Sequence, residues 1–290
     1  MSTAVEVAGL QPDSVAAVAT QRYYRRFAPI ERLMHALLML TFVGCALTGM
    51  PLLFSDQAWA AALARLVGGF ETTTLIHHLC AVVMITVFVA HVIRLCYRAL
   101  ESGDVLGMLW GQDSMVPQPQ DIVDIWLHFK WFVGKGPRPQ FGRWTYWEKF
   151  DYWAVFWGMF IIGGSGLLLW FPVFFANFLP GWMFNIATLV HGEEALLAVG
   201  FIFTFHFFNG HLRPEKFPMD TVIFSGVIPE HELVDERPVE YARLVREGRL
   251  EAIAAPAPAR GALLFGWVVG GTALALGVLT VVLILYSLVL

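Results

Sequence analysis

Charge is scarce in this chain. Only 14% of its 290 residues are Asp, Glu, Lys or Arg, and 57% are hydrophobic, where ordinary soluble domains carry roughly 25% charged residues. That shortfall excludes an ordinary cytosolic enzyme, and it excludes disorder. A basic surplus is missing too. The 19 Lys and Arg are outnumbered by 23 Asp and Glu, for a net charge of −4, so nucleic acid is not an expected partner. Cysteine is sparse. Cys45, Cys80 and Cys96 all lie in or beside apolar runs, and neither C-x-x-C nor C-x-x-C-H occurs. Iron–sulfur ligation and covalent c-type haem attachment are therefore excluded, and the cysteines read as small packing residues. Residues 1–20 lack the apolar stretch of a cleavable signal and read as a loose tail.

What is present is length without charge. A membrane helix needs about 20 apolar residues, and five segments qualify: 30–54, 74–98, 150–174, 186–209 and 262–290. No charge occurs between Tyr152 and Gly192, and Pro172, Pro180 and Gly181 divide that stretch into two helices and a tight turn. The fold class is an all-α integral membrane protein with a four-helix transmembrane bundle and a fifth, C-terminal transmembrane helix. The expected organisation is a cytoplasmic tail (1–27), the bundle (28–212) with its loop 99–149, a second cytoplasmic segment (213–260) and the last helix (261–290).

Orientation follows from Lys and Arg. The tail side of the first span holds four. The loop between spans two and three holds seven, as does the segment before span five, whereas the opposite loops hold only Arg65. The expected placement is a cytoplasmic N-terminus and a periplasmic C-terminus. Within the 99–149 loop, Ile122, Ile125, Trp126, Phe129 and Phe132 share one helical face, with Asp121, Asp124 and Lys130 on the other. That pattern fits a helix lying in the interface or one facing a partner. Residues 229–251 read as a solvated helix, and no internal repeat is evident.

The nine histidines carry the functional signal, because an ionisable residue within a span marks a functional site by default. Span one has His35. Span two has His77, His78 and His91. Span four has His191 and His206, with His211 just beyond. His77 and His91 are separated by a rise of about 21 Å and a net rotation of about −40°. His191 and His206 are separated by about 22 Å and about +60°. Two helices thus each present imidazoles at two matched depths. Haem held between helices by one imidazole from each side satisfies this pattern, and two haems stacked about 20 Å apart explain the spacing. Zinc fits poorly, since no tight cluster of three or four ligands is evident. A proton relay of histidine with Glu193 and Glu194 is the haem-free alternative. His128 and His231 read as surface or packing residues.

These residues resemble the di-haem cytochrome b subunits of membrane oxidoreductases, of the formate dehydrogenase gamma, nickel–iron hydrogenase b and thiosulfate reductase b type. The matching features begin with Arg32-x-x-His35 and Thr48-Gly49 in span one. They continue with His77-His78 and His91 in span two, and with Gly142-Arg143-Trp144-Thr145-Tyr146-Trp147-Glu148-Lys149 before span three. The last is His191-x-x-Glu194-Ala195 with His206 in span four. The run Arg213-Pro214-Glu215-Lys216-Phe217-Pro218-Met219-Asp220 looks like the branch found with multihaem c cytochromes. The resemblance covers about residues 25–250 and leaves span five outside.

The resemblance implies two non-covalent, bis-histidine b haems in a bacterial inner-membrane subunit of a respiratory chain. His77 with His191 would ligate the outer haem iron, and His35 with His206 the inner. His91 is the alternative inner ligand, and the surplus His78, His91 and His211 leave room for a third haem or a quinone. The span-four spacing is 15 residues where the formate dehydrogenase type uses 14. Arg32, Arg94 and Arg213 are candidates for propionate contacts or for positive-inside anchors. Gly44, Gly49, Gly163, Gly164, Gly166 and Gly200 suit close helix packing or a macrocycle. Trp144, Tyr146, Trp147, Tyr152 and Trp153 suit an interfacial belt, with Glu148 and Lys149 as proton carriers near a quinone.

The implied role is an electron-transfer subunit between the quinone pool and a periplasmic iron–sulfur or multihaem c-type partner, with lipid around it. No segment outside the spans is long enough for a large catalytic domain. A stand-alone cytochrome b561-type quinol oxidoreductase, a haem-free proton-coupled transporter and a metal transporter are the competing classes.

Overall fold

A computed structural model describes residues 21–289. The expected loose tail, residues 1–20, lies outside the described residues. Five helices are long and apolar enough to cross a membrane: Pro29–Leu53, Phe70–Ser102, Tyr146–Trp170, Trp182–Leu212 and Arg260–Val289. They are called spans one to five below. Each contains the core of one apolar run read from the sequence, with ends that differ from it by a few residues.

Spans one and two pack along their lengths, and spans three and four form a second pair. Spans two and four do not pack closely on each other. Span five lies against spans one and four, where Val43, Ala46, Met50, Val199, Phe203, Phe207, Ala273 and Ile284 form a buried core. Gly277 permits this approach. A Cβ there would stand 2.6 Å from both the Phe203 and Phe207 rings. At the far end, the Trp59 indole donates to Ser287 Oγ at 2.8 Å. Span five is thus packed into the body of the protein.

Residues 213–260 fold with the segment before span one, and the single solvated helix expected from the sequence is not what forms. Strand β1 (Tyr23–Arg25) sits at the centre of a three-stranded antiparallel sheet, between β2 (Val227–Pro229) and β3 (Ala254–Ala255). Helices Glu230–Glu236 and Pro238–Arg246 close over it. Tyr24 is fully buried among Val222, Ile228, Leu233, Leu244 and Leu250. Burial and the neighbouring Glu230 carboxylate push its hydroxyl up to about 12. Because β1 precedes four spans and its partners follow them, both segments occupy one side of the membrane.

Buried charges fasten this cap to the helices. Arg26 donates to Glu240 at 2.7 Å, and Glu240 also receives Arg143 at 2.9 Å. Burial draws the Arg26 guanidinium down to about 10, with Glu240 opposing the shift. Arg237 reaches Glu148 at 2.9 Å. Lys216 is surrounded by Asp220, Glu232 and Glu236. Their charges outweigh its burial and raise its pKa.

Helix Pro119–Phe132 lies between spans two and three. Ile122, Ile125, Trp126, Phe129 and Phe132 are exposed, and Asp121 turns inward to Lys149. The amphipathic division read from the sequence is therefore realised, with the apolar face outward.

Candidate functional site

The sharpest geometry joins spans two and four. The ring centres of His77 and His191 are 6.2 Å apart, with planes at 79°. Metal–imidazole bonds run about 2 Å, so two such bonds in line, together with the ring radii, place ring centres about 6 Å apart. The two backbones stand away from each other, and the imidazoles span the gap.

The hydrogen bonds of both rings go through Nδ1. His191 Nδ1–H donates to the Ile162 carbonyl at 2.9 Å, with Ser165 Oγ at 3.3 Å. Thr48 Oγ1 gives its own proton to the Gly44 carbonyl at 2.7 Å and therefore accepts from His77 Nδ1, 3.1 Å away. A ring whose Nδ1–H is held this way keeps its Nε2 lone pair for a metal, with orientation fixed by the partner. Glycines seat both rings. A Cβ at Gly49 would stand 3.0 Å from His77 Cε1, and one at Gly166 would stand 3.0 Å from His191 Cε1. Gly164 and Gly200 face open space instead.

At the other end of span four, His206 Nδ1–H donates to Asp151 Oδ2 at 2.9 Å. Its Nε2 is again the nitrogen left over. His35 is half-buried on span one and makes no hydrogen bond or ring contact with His206 among the described residues. The helix is not regular here, because Ile202–His206 forms a π turn. A π turn bonds i to i+5 and takes up one extra residue. His191 and His206 therefore stand as if about 14 residues apart on a regular helix.

The remaining histidines have other partners. His91 Nε2 lies 2.9 Å from the Tyr152 hydroxyl. His78 stacks on Trp170, with ring centres 4.0 Å apart and planes at 14°. His211 Nδ1 accepts from the Asp220 amide at 3.3 Å. His128 meets Tyr146 OH at 3.0 Å within an aromatic cluster, where burial and the nearby Arg138 and Arg213 lower its pKa. His231 Nδ1 meets Gln21 at 2.8 Å.

Several residues expected to be chemical are structurally committed. Glu148 caps span three by accepting from the Thr145 amide at 2.8 Å, and it also holds Arg237. Lys149 is paired with Asp121 at 2.9 Å. Glu194 accepts from the Trp157 indole at 3.2 Å. Among the described residues, no histidine is hydrogen-bonded to Glu193 or Glu194. Of the propionate candidates, Arg94 engages Glu31 at 3.3 Å and Arg213 donates to the Asn209 carbonyl at 2.9 Å. Arg32 keeps a buried Nε with no partner.

Among the described residues, no cluster of three or more His, Cys, Asp or Glu side chains is arranged for a bare metal ion. Of the site histidines, His77 and His191 are the two whose rings meet among the described residues. Sequence reasoning missed Asp151, Thr48 and Ser165 as the partners of His206, His77 and His191. Comparison of the chain with known families returns no matching family model, and comparison with curated proteins returns no match.

Proposed function

We propose that this chain is a cytochrome b-type membrane subunit that moves electrons between the quinone pool and a periplasmic redox partner. The observation that carries this reading is the His77–His191 pair, 6.2 Å between ring centres across a gap where the helices stand apart. A b-type haem bound at such a pair supplies reversible one-electron transfer. The chain's own contribution is to hold each Nδ1 on a neighbouring helix, which leaves Nε2 for the group, and to seat the rings on Gly49 and Gly166.

His35 with His206 is the second pair in this reading. Its support is that His206 holds its Nδ1 on Asp151 and that His91 spends its Nε2 on Tyr152. The unpartnered Nε of Arg32, in the first turn of span one, suits an anionic propionate. The quinone site belongs near this second pair, on the side of the cap, which the Lys and Arg distribution assigns to the cytoplasm. The partner would be an iron–sulfur or multihaem c-type protein at the periplasmic face.

The test is a reduced-minus-oxidised spectrum of the purified chain with pyridine-haemochrome quantitation. Two b haems per chain are expected. A folded preparation, made with haem supplied and free of a Soret band, overturns the reading.

A further inference from the structure

Asp151 is a carboxylate at the start of an apolar run, and its surroundings are unusual. Oδ2 accepts from His206 Nδ1 at 2.9 Å. Oδ1 is buried and has no hydrogen-bond partner. Among the described residues, His206 is its sole ion-pair partner, and no Lys or Arg reaches it. A buried carboxylate is expensive unless its charge is compensated. Positive charge on the His206 imidazole, or on a group bound at its Nε2, would compensate the carboxylate.

We infer that Asp151 is a positioning residue that sets the redox potential of the group held by His206. The inference rests on the haem reading above. Ferric haem carries one more positive charge than ferrous haem. A carboxylate bonded through the imidazole to that iron favours the ferric form and lowers the midpoint. The outer pair has no such charge, since Thr48 and the Ile162 carbonyl, which hold His77 and His191, are neutral. The difference between the two levels follows from this asymmetry and biases electron flow from the His206 level towards the His77 level.

The experiment is a two-component redox titration of the full chain, wild type against Asp151→Asn. Asn retains an oxygen for the His206 bond and removes the charge. The expected result is that one midpoint rises by at least a tenfold change in the ferric-to-ferrous ratio, about 59 mV for one electron, while the other stays in place. Asp151→Glu, which returns the charge, is expected to recover most of the shift. Asp151→Ser, small and neutral, is the reserve variant if Asp151→Asn does not accumulate, and the same upward shift is expected of it. Two haems with both midpoints unmoved overturn the inference and leave the haem reading standing. Absence of haem from the wild type is a failure of that reading and is seen before any variant is made.

Discussion

Asp151 and Tyr152 are adjacent in the chain, yet they hold histidines from two different helices. Asp151 binds His206 of span four at 2.9 Å, and Tyr152 binds His91 of span two at 2.9 Å. Side chains one apart on a helix diverge by about 100°, so a single turn of span three sorts two histidines of similar depth. One keeps Nε2 free, and the other does not.

That sorting predicts how histidine variants divide. His77→Ala and His191→Ala should each remove the same haem, leaving about half of the wild-type content. His35→Ala should remove the other. His91→Ala should retain both, because its ring is spent on Tyr152. Pyridine-haemochrome counts per chain read all four. Loss of a haem in His91→Ala together with retention in His35→Ala would reverse the assignment of the second pair.

Gly49→Ala forces a methyl to within 3.0 Å of the His77 ring, whereas Gly164 has open space. Overpacking of this kind costs about 1–3 kcal/mol. Gly49→Ala is therefore expected to weaken occupancy of the His77 level and broaden its spectrum, with Gly164→Ala indistinguishable from wild type. Equal behaviour of the two variants would sink this account.

Lys149 and Asp121 are each only 8% exposed and meet at 2.9 Å. Breaking a buried pair from one side leaves an uncompensated charge and costs about 3–5 kcal/mol. Asp121→Asn should lower the unfolding temperature in detergent markedly. Asp121→Leu combined with Lys149→Met should restore much of it, since replacing both charges by apolar groups removes the desolvation penalty as well.

The outward apolar face of helix Pro119–Phe132 is expected to rest on lipid. Nitroxides placed at positions 125 and 129 should be accessible to oxygen and shielded from a water-soluble nickel reagent. One at position 120, on the exposed polar part of the first turn, should show the opposite. Shielding of 125 and 129 from both reagents would indicate a protein partner on that face.

Much of the architecture was legible because a bilayer imposes a one-dimensional rule. Runs without charge fixed the five spans to within a few residues, and the depths of His77 and His191 pointed to the pair that the fold brings together. The rest depended on things that periodicity does not carry. The π turn at Ile202–His206 changes the register without a Pro or Gly to announce it. Asp151 stands at the edge of an apolar run, where a charge reads as flanking sequence. Tyr152 and Trp170 look like interfacial aromatics until their partners, His91 and His78, are in view. The sheet was invisible because its strands are two or three residues long and lie some two hundred positions apart.

The central position of β1 in that sheet has a consequence for biosynthesis. Tyr23–Arg25 leaves the ribosome first, and both of its neighbours, Val227–Pro229 and Ala254–Ala255, come from the far end of the sequence. At roughly 5–20 residues per second, the strand waits on the order of ten to forty seconds for its second neighbour. Four hydrophobic helices must enter the membrane in that interval with an even number of crossings, or the strand is left on the wrong side. A chain that has skipped one insertion leaves the strand and its neighbours on opposite sides and cannot close the sheet.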